Sequence, residues 1–283
     1  MLTLGIGVSA ALLWGVHDLC VRRLSRELDV AASMAVVLIV GSLCLLPPMF
    51  FLNEALHTDL RLLMSTAVCG LLFAAATYAL WRAYGSGPVR MVAPITAGYP
   101  IVSLGLAAAG GETVSAVAWG AVMVVILGVA IVASVEADRQ DNYNLRTTAG
   151  WSGACAVAFA LTFALGQSVM SEQAALPTLL ITRLAALAVI VFFLVATAGL
   201  RLPPRDALPL LALMGVLDVA ALGLVFFAGR FPNASYATVT ASLYGVVTIL
   251  LAGFLLEERL SARQWFGVAV TFAAIGVLGS VVQ

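Results

Sequence analysis

Two ionisable residues lie deep inside long apolar stretches of the sequence. Asp218 has about eleven apolar residues on each side, and Arg183 lies about seven residues into its own stretch. A charge at the middle of a bilayer costs at least about 2.5–3.5 kcal/mol, so such a residue normally faces a cavity or a partner. In antiparallel helices, a rise of about 1.5 Å per residue puts the two side chains within about 5 Å of the same depth. The sequence therefore predicts either a buried ion pair that fixes two helices or a cavity acid that binds a solute or a proton.

A second group of polar residues lies near the N-terminus. Trp14, His17 and Asp18 stand at positions i, i+3 and i+4, which share one face of a helix. Histidine changes charge near neutral pH, so His17 is a candidate for binding a solute or a proton. The alternatives are a histidine that only packs, and an ion pair between Asp18 and Arg22, four residues further on.

Aromatic residues form a third set. Five of them fall near the middle of apolar stretches, where the aromatic belt of a membrane interface cannot lie: Trp14, Tyr78, Tyr99, Phe159 and Tyr244. Trp81 follows Tyr78 by three residues, so these two are predicted to form one stripe. Rings and hydroxyls together suit an amphipathic solute, because rings cover apolar groups and attract cations. The alternative is that these residues only fill a core.

Prolines interrupt one of the same stretches. Pro94 and Pro100 each remove a backbone donor and loosen a helix locally. We therefore regard both prolines as candidate hinges.

The composition indicates which elements must position these residues. Of the 283 residues, 63% are apolar and 10% are charged, whereas soluble domains are about half apolar and a quarter charged. This excludes a soluble enzyme, a nucleic-acid-binding protein and a disordered chain. A helix needs about 20 apolar residues to cross a bilayer, and backbone groups in lipid must be paired within the segment. We therefore predict an all-α integral membrane protein with ten transmembrane helices, near residues 2–21, 30–52, 62–82, 91–110, 114–135, 148–170, 176–200, 207–228, 233–255 and 264–282.

Arginines are distributed unevenly between the two sides of this arrangement. The odd-numbered loops hold eleven arginines, and the even-numbered loops hold only Arg61 and Arg230. Because positively charged loops remain in the cytoplasm, this count places both termini outside.

The two halves of the chain repeat each other at an offset of 145–146 residues. Identical residue types recur in these pairs: Glu112 and Glu258, Ser115 and Ser261, Trp119 and Trp265, Tyr99 and Tyr244, Gly70 and Gly215. Each copy holds five predicted helices, and an odd number inverts the second copy relative to the first. We therefore predict two inverted repeats, residues 1–145 and 146–283, that together form one transport domain. Inverted repeats typically open alternately to each side around one central site.

One long segment also resembles a known family. The run from Ser242 to Ser261, continued by Trp265 and Gly267, resembles the repeat signature of the drug/metabolite transporter superfamily, above all its EamA-type ten-helix branch. The Trp14-Gly15 pair fits the same pattern. This resemblance implies that helices 1, 3, 4, 6, 8 and 9 line a central cavity, and the aromatic residues most resemble YddG-type amino-acid exporters.

The sequence departs from the family pattern in three places. An arginine early in the second helix of each repeat is present as Arg183 but is replaced around Val37 and Leu38 in the first copy. Many members of the family look as if they have both termini inside, whereas the arginine count of this sequence places both termini outside. Small multidrug relatives carry a glutamate near the position of Trp14, and its absence argues against their exchange of protons for cations.

We therefore expect a secondary transporter that exports small amphipathic metabolites, amino acids in particular, across an inner membrane. The partners would be a small-molecule substrate and the lipid bilayer, without nucleic acid, cofactor or metal, in a monomer or weak homodimer. Proton-coupled drug or cation efflux and transport of another metabolite, such as a nucleotide-sugar-like one, are alternatives. An enzyme or a channel fits less well, since no metalloprotease or filter motif is present. An aspartyl pair of Asp18 and Asp218 is not expected, because their predicted depths differ.

Overall fold

The fold is described by a computed structural model covering residues 2–52, 54, 59–111, 114–133, 144–172, 174–196, 202–232, 234–255 and 261–281. These residues form twelve α-helices and a short 3₁₀ helix, Ala228–Arg230, and no strand occurs within these ranges. The α-helices are α1 (Leu2–Leu24), α2 (Val30–Leu52), α3 (Leu60–Ser86), α4 (Val89–Thr96), α5 (Pro100–Ala109), α6 (Ala116–Ala133), α7 (Leu145–Glu172), α8 (Ala175–Ala196), α9 (Leu208–Phe227), α10 (Ala234–Ala241), α11 (Tyr244–Leu255) and α12 (Ala262–Val281).

The helices correspond to the ten predicted spans, which are confirmed. Eight spans are single helices, and two are pairs of half-helices, α4 with α5 and α10 with α11. In the described part of the chain, seven segments are long and apolar enough to cross a membrane by length and composition, and two shorter apolar segments are Met91–Leu106 and Ala116–Val125. The protein is therefore a multi-pass membrane protein.

Both broken spans change direction beside a tyrosine. The first break lies at Ala97–Tyr99, and α5 begins with Pro100, whose missing N–H costs nothing at a first helical position. The second break lies at Ser242–Leu243, directly before Tyr244, and contains no proline. Proline therefore accounts for only one of the two breaks.

The two repeats pack through equivalent contacts. A methyl group on Gly70 would lie 2.4 Å from the carbonyl oxygen of Thr182, and one on Gly215 would lie 2.8 Å from that of Val37. Gly70 and Gly215 are 145 positions apart, and so are Val37 and Thr182. The contact of α3 with α8 is therefore equivalent to the contact of α9 with α2. Glycine at these positions allows the backbones to touch. The inverted arrangement of two five-helix repeats is thus present in the fold.

Each repeat also contributes its third span to the other repeat. Helix α3 packs against α7 and α8, and α9 packs against α1 and α2, while α6 and α12 pack against each other. The core therefore lies between the repeats and contains residues from both. The boundary between residues 145 and 146 remains a prediction.

The repeated Glu-Ser-Trp motif is described only in part. The hydroxyl oxygen of Ser115 accepts a hydrogen bond from the N–H of Ala118 (3.1 Å), and that of Ser261 accepts one from Gln264 (3.3 Å). The two serines therefore cap the first turns of α6 and α12. The motif residues Glu112 and Glu258 lie outside the described residues.

Candidate functional site

A small cavity lies between the two repeats. It has an empty volume of about 330 Å³ and room for about one water molecule. Its walls come from α1, α3, α7, α9, α11 and the break before α5. These elements belong to spans 1, 3, 6, 8, 9 and 4 of the ten predicted spans, which are the spans that the family resemblance implies. The lining residues are Trp14, His17, Asp18, Thr77, Leu80, Tyr99, Phe159, Phe163, Asp218 and Tyr244.

Asp18 and its neighbours form one acidic part of this cavity. The hydroxyl of Tyr84 donates to Oδ2 of Asp18 (2.9 Å), and Nδ1 of His17 lies 3.2 Å from Oδ1. His17 and Asp18 are each only 2% exposed. Arg22 donates from Nη1 to the carbonyl oxygen of Tyr84 (2.9 Å), one helical turn beyond Asp18. Thus the partner of this carboxylate from another helix is a phenol on α3.

Asp218 forms a second acidic part and is bound to Arg183. Nη1 of Arg183 donates to Oδ2 of Asp218 (2.6 Å), and the indole Nε1 of Trp14 lies 3.4 Å from Oδ1. Nη2 of Arg183 donates to the carbonyl oxygen of Val37 (3.0 Å). Because a buried charge is costly without partners, this pair explains how both groups are tolerated. Arg183 is fully buried and is not part of the cavity lining.

Gly41 provides the surface on which the guanidinium rests. A methyl group at residue 41 would lie 2.2 Å from Nη2 and 2.5 Å from Cζ of Arg183. The Phe73 ring faces the guanidinium, with Cζ 6.0 Å from the ring centroid. The arginine is therefore held between α2, α3 and α9.

Aromatic rings form the remaining wall of the cavity. Phe163 stacks on Trp14 and on Phe159, with ring centroids 5.3 Å and 5.4 Å apart. Tyr99 and Tyr244 lie nearly parallel, at an interplanar angle of 8° and a centroid distance of 6.2 Å. The repeat-related tyrosines thus meet at the interface of the two repeats. Sequence reasoning missed Phe163, although its position four residues after Phe159 places it on the same helix face.

The two repeats contribute different charges at equivalent positions around the cavity. At the offset of 145 residues, Asp18 corresponds to Phe163, and Asp218 corresponds to Phe73. Trp14 corresponds to Phe159 in the same way. Each carboxylate therefore lies where the other repeat has a ring, and the cavity has acidic positions on α1 and α9 and aromatic ones on α7.

Two of the predicted aromatic site residues lie outside the cavity lining. Tyr78 contacts Trp151 and Phe193, with ring centroids 6.0 Å and 5.9 Å apart, and it is not part of the cavity lining. The reason is the helical rotation, which brings Thr77 rather than Tyr78 to the cavity. Trp81 is fully buried and also lies outside the lining, with no hydrogen-bond partner for Nε1 among the described residues.

The remaining predicted residues are placed as follows. Pro94 lies inside α4 and lines a separate cavity of about 340 Å³, while Pro100 begins α5. The expectation that Asp18 and Asp218 lie at different depths is wrong, because both line one cavity. Trp14, which contacts Asp218, is one helical turn from Asp18.

A much larger vestibule lies beside the even-numbered loops. Its empty volume is about 1940 Å³, and its lining includes Ser103, Gln167, Ser168, Tyr236 and Thr238, with no charged side chain among the described lining residues. The hydroxyl of Tyr99 donates to the carbonyl oxygen of Thr238 (2.9 Å). This bond connects the lining of the central cavity to that of the vestibule.

Comparison with known proteins is consistent with this architecture. Residues 1–134 and 149–280 each match the sequence profile of the EamA-like transporter family. A solved crystal structure of a protein aligns with a TM-score of 0.76 over 99% of this chain and 97% of its own, at 14% sequence identity. At this identity the likeness concerns the fold alone. No curated protein matches the sequence.

The chain belongs to the EamA-like transporter family, within the drug/metabolite transporter superfamily. It is therefore a membrane transporter of small molecules, and members of this family are transporters and not enzymes.

Proposed function

We propose that this protein exports small amphipathic metabolites that carry an ammonium group, in particular amino acids with aromatic or other hydrophobic side chains. Transport would proceed across an inner membrane by alternating access around the central cavity. The observation that carries the proposal is the presence of carboxylates and stacked rings in one cavity between inverted repeats.

The cavity offers different contacts to the two parts of such a solute. The Asp18 carboxylate suits an ammonium group, because a buried anion needs a positive partner. Phe159, Phe163 and Trp14 form a ring surface for an apolar side chain. The Tyr244 hydroxyl, which lines the same cavity, is a hydrogen-bond donor for a carboxylate. A short amino acid can engage all three.

Access to this site requires a conformational change. The central cavity holds about one water molecule, which is too small for an amino acid. The half-helices α5 and α10 line the vestibule, and Tyr99 at the start of α5 bonds to Thr238 on α10. We propose that these half-helices move apart, with Pro100 and Pro94 as hinges. Loss of one hydrogen bond would begin the opening.

The arginine distribution supports the direction of this opening. With the odd-numbered loops in the cytoplasm, the vestibule beside the even-numbered loops faces outside. A site that releases its solute through an uncharged vestibule suits export. The cavity is complete within one chain, so a monomer suffices.

Efflux of cationic amines is a second candidate, favoured by the charge of the cavity. Arg183 is already bound to Asp218, so it does not compensate Asp18. Among the described lining residues, His17 is the one side chain able to carry a positive charge. A cavity with this charge favours an amine without a carboxylate over a zwitterion.

Transport assays with matched solutes test both candidates. The purified chain in liposomes is given tryptophan or tryptamine, and phenylalanine or phenylalanine amide, with and without a pH gradient. We expect saturable uptake of the amino acids, and cationic efflux would instead favour the two amines by tenfold or more. Absence of saturable uptake of all four solutes would contradict the proposed function.

A pair of variants adds a control for the site. Phe159→Ala removes a ring from the cavity, whereas Phe254→Ala removes an exposed ring. We expect the first to reduce uptake and the second to leave it unchanged. Equal uptake by both variants would argue against substrate binding at the aromatic wall.

A further inference from the structure

One buried nitrogen in the central cavity has no hydrogen-bond partner among the described residues. Nδ1 of His17 lies 3.2 Å from the Asp18 carboxylate, which also accepts from the Tyr84 hydroxyl. A carboxylate only accepts, so this hydrogen bond assigns the imidazole proton to Nδ1. Nε2 is then an acceptor, and it has no hydrogen-bond partner among the described residues. His17 and Asp18 therefore present two acceptors, and no donor, to the cavity.

The charged and titratable groups around this pair leave its charge uncompensated. Helix α3 contributes the Tyr84 phenol, α9 contributes Asp218, and α11 contributes the Tyr244 phenol. Tyr99 from the break before α5, the buried thiol of Cys155 on α7 and the thiol of Cys20 on α1 also interact with Asp18. Phenols and thiols are ordinarily neutral at pH 7. Asp218 is already bound to the arginine of α8, and Arg22 lies one turn along α1, on a carbonyl.

We propose that His17 and Asp18 form one site that binds either a proton or the ammonium group of the substrate, but not both. This inference rests on the proposed function for the identity of the solute. A proton on Nε2 produces an imidazolium next to the carboxylate, and the pair is then neutral. An ammonium group supplies donors to Nε2 and to the carboxylate, and the pair with its ligand is neutral again.

Competition between these two cations follows from electrostatics. An imidazolium and an ammonium within hydrogen-bond reach repel each other strongly in a cavity with few water molecules. Arrival of one ammonium therefore releases one proton from Nε2. With neither cation bound, the site keeps an uncompensated buried carboxylate, which is unfavourable. The transporter then changes conformation mainly with one cation bound, which couples outward substrate movement to inward proton movement.

Calorimetry on the purified full-length protein tests this exchange directly. Phenethylammonium chloride is titrated at several pH values between about 5 and 8, the range in which histidine can change charge, in two buffers of different ionisation enthalpy. The difference in apparent binding enthalpy gives the number of protons released per ligand bound. We expect the unmodified protein to approach one proton per ligand at the acidic end of this range and to release fewer at the basic end, as the competition at Nε2 requires.

Two substitutions locate the released proton. His17→Asn keeps an N–H donor near Asp18 but removes Nε2, so we expect binding with almost no proton release. Asp18→Asn removes the charge and is expected to weaken binding about 30-fold or more, as loss of a buried charge partner does. Asp59→Asn changes an aspartate that caps α3 outside the cavity, and it should behave like the unmodified protein.

The outcomes separate this inference from the proposed function. Absence of binding or of proton release in the unmodified protein would overturn the inference, as would full proton release from His17→Asn. Saturable amino-acid uptake without proton release would leave the proposed function standing and the exchange wrong. Proton release without uptake of any amino acid would support the exchange and contradict the proposed function. The calorimetric titration uses the unmodified protein, so its result does not depend on whether a variant folds.

Discussion

The ion pair between Arg183 and Asp218 allows a quantitative prediction. Asp218→Asn removes the negative charge that faces the guanidinium at 2.6 Å. The arginine then keeps the carbonyl oxygen of Val37 at 3.0 Å and the Phe73 ring at 6.0 Å. Neither of these neutralises a positive charge. Arg183→Met is the complementary change and leaves a buried carboxylate whose other polar contact is the indole of Trp14.

The expected magnitude follows from burial. Arg183 is 0% exposed and Asp218 is 3% exposed. Removing one partner from such a buried pair costs about 3–5 kcal/mol, because the other charge stays uncompensated. Removing both leaves neither charge of this pair without its partner, so the double variant should be within about 1 kcal/mol of the unmodified protein. For a chain of this size, a single substitution should lower the unfolding temperature by about 10 °C.

Thermal unfolding in detergent, followed by size-exclusion chromatography, measures all four proteins of this cycle. We expect both single variants to unfold early and the double variant to recover. Single variants within about 2 °C of the unmodified protein, or a double variant less stable than either, would refute this reasoning. Uptake by the double variant tests the alternative role: recovered stability without transport would assign this pair a part in binding the substrate or the proton.

Three further substitutions test other contacts. Gly41→Ala should cost about 1–3 kcal/mol by displacing the guanidinium, whereas Gly105→Ala, with no atom within 4 Å, should cost little; equal thermal shifts would contradict this. Tyr99→Phe removes the donor to Thr238, which is worth about 1 kcal/mol, so hydrogen exchange of residues 234–241 should accelerate, and an unchanged rate would argue against this contact. Gln167→Leu removes three hydrogen-bond contacts of Nε2 with Val225, Ala234 and Thr238. The free energy of unfolding should therefore fall by about 1–3 kcal/mol, and an unchanged unfolding temperature would show that these contacts do not stabilise the fold.

The number of spans could be predicted because membrane crossing has a strong sequence signal. Apolar runs of sufficient length and the pairing of Gly70 with Gly215 predicted ten helices in two copies. The break before Tyr244 could not be predicted from proline. In the structure, the hydroxyl of Ser242 donates to the carbonyl oxygen of Val239 (2.6 Å), and its N–H also bonds there (3.1 Å). Such local hydroxyl bonds compete with the helix but are common in unbroken helices as well.

The direction of each side chain could not be predicted from the sequence. In a helix surrounded by lipid and protein, both faces are apolar, so periodicity does not show which face meets the cavity. The sequence therefore could not separate Thr77, which lines the cavity, from Tyr78, which does not. The partner of Asp18 was hidden for another reason. Tyr84 lies 66 residues away, and no local spacing brings it to the carboxylate.

Counterflow is the most direct test of the central claim that solutes exchange at one site between two inverted repeats. Liposomes containing the protein are loaded with the unlabelled panel solute that shows the highest uptake, and the labelled form is added outside. An alternating carrier predicts transient accumulation of label above its equilibrium level, reduced in Phe159→Ala. Uptake that is saturable but never overshoots, or conductance that does not saturate, would contradict the account.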